Sequence, residues 1–175
     1  GADFEAIGKK YQISPRLACL IRNRDVIGEE AVDRYLNGTI SDLYDGMLMK
    51  DMDKAIDILK EKILEDKKIR VIGDYDIDGV NATYILLEGL ERLGADVDSD
   101  IPDRISDGYG LNRHLVERAH EAGVDTLITC DNGIAAADEI AYGKEMGMTV
   151  IVTDHHEVPF DEQDGEKRYR IPPAD

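Results

Sequence analysis

Ile69-Arg70-Val71-Ile72-Gly73-Asp74-Tyr75-Asp76-Ile77-Asp78-Gly79 is the stretch that decides the fold. A short β-rich run closes on a glycine, three aspartates follow in alternate positions, and a helical pattern then runs from about Val80 to Leu93. The alternation repeats downstream. A weaker strand is expected near Val97 to Ile101, a helix from Asn112 to Ala122 and a strand at Thr126-Leu127-Ile128-Thr129-Cys130. A helix from about Ala136 to Met146 and a strand at Thr149-Val150-Ile151-Val152-Thr153 complete the series. Gly94, Gly123 and Gly147 fall where each helix should stop. Strand starts at this spacing predict an α/β fold, a mostly parallel sheet with helices on both faces.

Upstream of Lys67 the pattern is helical. Ser14-Pro15 is a start signal, and Leu17, Leu20 and Ile21 suggest one apolar face. A second helix is expected from Glu29 to Leu36, stopped by Asn37-Gly38. A longer one, between Asp51 and Asp66, carries Met52, Ile56, Leu59 and Ile63 at helical spacing. None of these carries chemistry. The expected division is therefore a helical N-terminal lead-in over 1–66 and an α/β domain over 67–175.

Three of the strands end in an acidic residue: Asp74 after Gly73, Asp131 after Cys130 and Asp154 after Thr153. In a parallel sheet the C-terminal ends of the strands share one edge, where open α/β sheets bind ligands. Each aspartate has an ordinary alternative as a helix cap. Capping does not account for Asp74, Asp76 and Asp78 together, whose charges repel unless something screens them. A divalent cation would do so.

Composition bounds the rest. The 175 residues carry a net charge of −17, the reverse of a surface that grips nucleic acid by itself. Clustered carboxylates holding cations would invert that charge locally and recruit phosphates. No apolar run approaches the ~18 residues a membrane span needs, and no basic-then-apolar leader opens the chain, so a soluble, cytoplasmic protein is expected. Cys19 and Cys130 stand far apart and outside any CxxC pair, which argues against a disulfide framework or a zinc knuckle.

Two look-alikes fail on spacing. Asp-x-Asp-x-Asp-Gly opens a calcium-binding EF-hand loop, but with Asp74 as position 1 the bidentate glutamate of position 12 would be Ile85. Asp76-Ile77-Asp78-Gly79-Val80 is similar to the haloacid-dehalogenase-like phosphatase motif, yet Gly73, Asp74 and Tyr75 separate it from its strand. That family also has no use for the paired histidines of Asp154-His155-His156. Carboxylates mixed with imidazoles at one sheet edge suit manganese, magnesium, iron or zinc, and the lack of thiolates disfavours a structural zinc.

These motifs resemble, in combination, the DHH phosphoesterases. The resemblance rests on Asp74-Tyr75-Asp76-Ile77-Asp78-Gly79, on Ile101-Pro102-Asp103-Arg104 leading into Asp107-Gly108-Tyr109-Gly110-Leu111-Asn112, on Cys130-Asp131-Asn132-Gly133-Ile134 and on Thr153-Asp154-His155-His156. It covers roughly Arg22 to Pro159. Family members acting on pyrophosphate or small nucleotides place a histidine shortly before the first aspartate pair. This chain has none there, so the resemblance is to the branch that degrades single-stranded DNA from the 5′ end in repair and recombination. The alternatives kept open are a small-substrate phosphodiesterase of the same family, acting on oligonucleotides or cyclic dinucleotides, and a non-catalytic scaffold of the same fold.

What the resemblance implies can be set out residue by residue. Asp76, Asp78, Asp131 and His155 would ligate two divalent cations, manganese favoured and magnesium possible, with Asp78 or Asp131 between them. Catalysis would fall to Asp78, Asp131 and His156, the last facing the scissile phosphate. Asp74 would orient the ligands from behind, and Asp154 would anchor His155 or His156. Cations about 3.5–4 Å apart activate water near neutral pH for in-line attack. Arg104, Tyr109, Asn132 and Gly133 would contact the nucleic acid, by guanidinium pairing, base stacking and backbone N–H groups respectively. A glycine turn with Tyr109 packed on the sheet edge is the competing reading of that segment.

The family supplies one more aspartate ligand well downstream of the histidines, and its exonuclease branch adds a further domain that helps hold the strand. Phe160 to Asp175 offers no strand expected to lead to such a ligand. The catalytic unit is therefore expected to be incomplete on its C-terminal side, with weak metal binding and low or absent activity in this stretch alone. A monomer is expected, with a single-strand-binding protein or a helicase as partner of the parent protein.

Overall fold

The computed structural model describes residues 3–104, 108–163 and 165–175. It divides into two compact units, 1–50 and 51–175. The first holds three short helices, α1 (Phe4–Tyr11), α2 (Pro15–Arg22) and α3 (Glu29–Asn37), then two 3-10 turns at Ile40–Asp42 and Gly46–Leu48. Ser14 caps α2 by accepting the Leu17 N–H at 3.2 Å, with Pro15 in the first turn, as its sequence signal implies. The buried face of α2 is Ala18 and Ile21; Leu17 and Leu20, expected inside, are exposed.

The second unit begins with α4 (Met52–Leu64). The change of pattern at Lys67 marks a change of secondary structure, but by packing α4 goes with the sheet: Ala55, Ile58, Leu59 and Ile63 lie against Ile69, Val71, Ile128 and Ile151. The sheet follows as β1 (Ile69–Ile72), α5 (Ile77–Arg92), β2 (Val97–Asp100), α6 (Arg113–Glu121), β3 (Thr126–Cys130), α7 (Ala137–Glu145) and β4 (Thr149–Thr153). All pairings are parallel, in the order β2-β1-β3-β4.

Alternation along the strands sorts the core into two layers. Ile69, Val71, Ile128, Cys130 and Ile151 face α4 and α5, while Ile72, Leu127 and Val150 meet Leu115, Val116, Ala119 and Ile140 from α6 and α7. Helices thus cover both faces, the expected α/β architecture. The weak strand β2 sits on the rim, held by charge. Arg70 donates twice to Asp98, at 2.6 and 2.7 Å, and Arg118 reaches Asp100 at 2.5 Å.

From Phe160 the chain forms an antiparallel hairpin, β5 (Phe160–Gln163) and β6 (Glu166–Tyr169), where no strand was expected. Every residue of both strands is exposed, so no apolar alternation announced them. Beyond the hairpin, Asp175 exchanges bonds with Val150 on the outer edge of β4: its N–H donates to the Val150 carbonyl at 2.8 Å, and its carboxylate accepts the Val150 N–H at 3.0 Å. Among the described residues no helix is long and apolar enough to cross a membrane.

Candidate metal centre

From β1 the chain turns to one side through α5 and β2, then crosses back through α6 to β3 on the other side of β1. The C-terminal ends of β1 and β3 therefore flank the point where the strand order reverses, the crevice in which such sheets bind ligands. Ile72, Thr129 and Val152 are aligned across β1, β3 and β4. Two residues further along each strand stand Asp74, Asp131 and Asp154, so the three acidic loops begin level with one another.

Asp76 caps α5, its carboxylate accepting the Gly79 N–H at 2.9 Å, which starts the helix at Ile77, three residues before the pattern suggested, and puts Asp78 in its first turn. Gly79 lies hard against Asp74: a Cβ there would come within 2.6 Å of the Asp74 side chain and carbonyl. Asp74 is consequently only 2% exposed. Asp131 adopts φ +60°, a left-handed conformation that aspartate tolerates better than most residues, and its N–H donates to the Thr153 carbonyl.

Ligand atoms converge in two groups, Asp74, Asp76 and Asp131 in one, Asp131, His155 and His156 in the other, each group within 4.8 Å. Asp131 belongs to both. His155 Nε2 lies 2.8 Å from Asp131 Oδ1 and 3.7 Å from Asp78 Oδ2. Of the ligands expected from sequence, Asp76 and His155 each come within 4.8 Å of Asp131, in separate groups. Asp78, exposed in the first turn of α5, has its Oδ2 at that 3.7 Å from His155, and Asp74, expected behind the ligands, has an oxygen within 4.8 Å of those of Asp76 and Asp131. His156, expected to face the phosphate, sits beside His155 with ring centroids 4.7 Å apart. Asp154 holds His156 and not His155: its Oδ1 lies 2.7 Å from His156 Nδ1 and accepts the His156 N–H at 3.1 Å, while Oδ2 accepts the Ile134 N–H at 2.9 Å.

The electrostatics are those of like charges brought close together at a half-buried sheet edge. Burial, reinforced by the charges of Asp76 and Asp131, pushes the Asp74 carboxyl above its usual range. Its Oδ1 is buried with no hydrogen-bond partner. Burial would also raise Asp154, but the Ile134 and His156 N–H groups and the His156 ring outweigh it and hold that carboxyl below the usual range. The bond to Asp154 in turn lifts His156 above the ordinary imidazole value. A buried carboxylate oxygen without a donor costs free energy that a divalent cation removes. The donor set, oxygens with imidazole nitrogen, fits such an ion.

The remaining candidates divide. Asn132 is 1% exposed and its amide donates to the carbonyls of Ile72 and Cys130 at 3.1 and 2.9 Å, splicing β1 to β3, so its side chain is not presented to a nucleic acid. Gly133 is dictated by packing, since a Cβ would meet Thr129 Oγ1 at 2.6 Å. Arg104 stacks over the Tyr75 ring at 5.5 Å, and Tyr75 meets Tyr109 edge-on at 6.3 Å. Tyr109 sits at the rim, 56% exposed, its hydroxyl 3.4 Å from His156 Nε2. Asp107, part of the same motif, lies outside the described residues.

Residues 68–174 match the DHH family, N-terminal domain. The chain belongs to the DHH family. Among curated DHH relatives, the single-stranded-DNA-specific exonuclease RecJ of Bacillus subtilis is 40% identical over 153 residues, 87% of this chain and 20% of that protein. RecJ of Haemophilus influenzae is 35% identical over 170 residues, 97% of this chain and 27% of that protein. The chain thus spans about a fifth to a quarter of the curated relatives it matches. Among solved structures, exonuclease RecJ bound to manganese superposes with a TM-score of 0.61 at 39% identity, over 72% of this chain and 30% of that one. RecJ of Thermus thermophilus in complex with manganese gives 0.59 at 32% identity, over 82% and 20%. The DHH match takes in the whole parallel sheet and both ligand groups.

Proposed function

We propose that this chain is the ligand-bearing part of a metal-dependent exonuclease that hydrolyses phosphodiester bonds in single-stranded DNA from the 5′ end. The observation that carries the proposal is Asp131, shared between two ligand groups at the switch point of the sheet. The names and bound manganese of the RecJ relatives support it. Manganese is the favoured cofactor and magnesium a second. The setting is cytoplasmic DNA repair and recombination, with the chain itself monomeric. A single-strand-binding protein or a helicase is the proposed partner of the longer protein whose catalytic unit this chain would share.

Asp74, Asp76 and Asp131 would hold one cation and Asp131, His155 and His156 the other, with Asp78 free to reach in from the first turn of α5. Bound there, the cations would supply an activated water and charge neutralisation at the phosphate. The chain's own part is positional. Asp154 fixes His156 by two bonds to one oxygen, and Asn132 locks the loops after β1 and β3 to a common base. Arg104 and Tyr109 lie on the rim where a strand would enter.

Degradation of a 5′-labelled single strand, with manganese present, tests the proposal. The chain alone is expected to bind the metal weakly and cleave slowly or not at all, and the longer protein to release label from the 5′ end, activity that Asp131→Asn abolishes. Full activity in this chain alone would sink the division of labour. A longer protein that prefers dinucleotides to long strands would overturn the substrate.

A further inference from the structure

His156 is gripped on one side only by its acidic neighbour. Asp154 Oδ1 lies 2.7 Å from Nδ1 and also accepts the His156 N–H, while Oδ2 accepts the Ile134 N–H, an arrangement of acceptors that assigns the proton of the ring contact to Nδ1. In the neutral ring Nε2 is then an acceptor. The Tyr109 hydroxyl supplies a second contact. It lies 3.4 Å from Nε2 and 3.5 Å from the Asp131 carbonyl oxygen, poised between two acceptors. The Tyr109 and His156 rings meet edge-on, with centroids 6.2 Å apart.

Tyr109 is itself well placed. Its ring abuts Tyr75, which carries Arg104 on its face. Gly110 beside it takes φ +70°, in the left-handed region that favours glycine. The Tyr109 ring thus meets Tyr75 on one side and His156 on the other.

We propose that Tyr109 is a positioning residue for His156, its hydroxyl fixing the ring plane by donating to Nε2 and shifting to the Asp131 carbonyl when Nε2 takes up a ligand. The role of the held ring rests on the metal-centre reading above; the holding itself does not. A stacking platform for bases uses the ring of Tyr109, whereas this role uses its oxygen. Tyr109→Phe separates the two.

The test is ring-nitrogen NMR of the two neighbouring histidines in the metal-free chain, at a pH well above the imidazole range. In the wild type, His156 should appear as the Nδ1–H tautomer with Nε2 shifted upfield by an accepted hydrogen bond. Tyr109→Phe should move that Nε2 resonance downfield, towards an unbonded acceptor nitrogen, and leave the backbone amides of β1, β3 and β4 in place. Titration with Mg2+ alone should then show affinity reduced about tenfold, as for loss of a group that orients a ligand. Unchanged His156 resonances in Tyr109→Phe would overturn the proposal. So would a Phe variant matching the wild type in both measurements while only Tyr109→Ala departs, since the ring would then be the working part. Failure of the wild-type chain to bind Mg2+, with the Phe shift still present, would count against the metal centre and leave the placement of His156 standing.

Discussion

The aspartates at the β2 rim and those at the C-terminal edge of the sheet are the same residue put to opposite uses. Asp98 is met by Arg70 and Lys68, Asp100 by Arg118, and Asp125, at the start of β3, by Lys62 at 2.6 Å. Among the described residues no lysine or arginine pairs with Asp74, Asp76, Asp78 or Asp131. The bond from Arg70 holds Asp98 below the usual carboxylate range, while burial and like charge push Asp74 above it. A net charge of −17 averages over these two populations and hides the distinction. Carboxylates supplied with cationic side chains secure the sheet. Those left without are available to an ion from solution.

The sharpest way to break this contrast is Asp131→Asn, which removes the carboxylate charge of the residue common to both ligand groups and keeps the side-chain shape at φ +60°. Calorimetric titration with Mn2+ should show affinity falling by more than about 100-fold, beyond the loss typical of residues that only orient ligands. Retention of near-native affinity would mean that the two groups are not one centre. Next in size is Asp98→Ala, which should cost about 1–3 kcal/mol in urea unfolding, the value of a hydrogen bond to a charged group, and leave Mn2+ binding unchanged. Its pH dependence has a definite sign. Because the folded pKa is depressed, the stabilisation is present above the unfolded carboxylate value of about 3.9 and disappears as pH falls through the lower folded value. The difference between wild type and variant should therefore vanish in acid. The smallest effect, and the one that discriminates best, is Asp74→Asn: in metal-free buffer at neutral pH it should raise the melting temperature, because it relieves repulsion among unpaired carboxylates. Asp98→Asn should lower it. Equal signs for the two would erase the distinction.

Much of the α/β unit was legible because its signals are local and redundant. The runs at Thr126–Cys130 and Thr149–Thr153 are strands with those bounds, each β-rich and fenced by turn residues. The strand-end aspartates were expected on one sheet edge and lie there, because parallel order alone brings them together. Where the reading fell short, the missing information was tertiary. Leu17 and Leu20 fit a helical stripe as well as Ala18 does, and which of them is covered depends on what packs alongside. The exposed β5–β6 hairpin has no apolar period, although Asp164-Gly165 is a turn signal that would have suggested it. That Asp74 would lie buried beside Asp76 and Asp131 while Asp78 stays exposed near His155 could not be read from the motif, because the close approach of Gly79 to Asp74 is a tertiary contact. The meeting of Tyr109 with His156 joins residues from two separate loops, and no spacing rule encodes it.

The Asn132 splice has a mechanical corollary. Because one amide grips the carbonyls that end β1 and β3, the two loops bearing the carboxylates share a single footing. Breathing of the surrounding helices would carry both loops together, so the gap between them is set like a ruler mark and not by the momentary state of the surface. The spacing of the inner carboxylates is thereby tied to the strands beneath them and not to the residues at the rim.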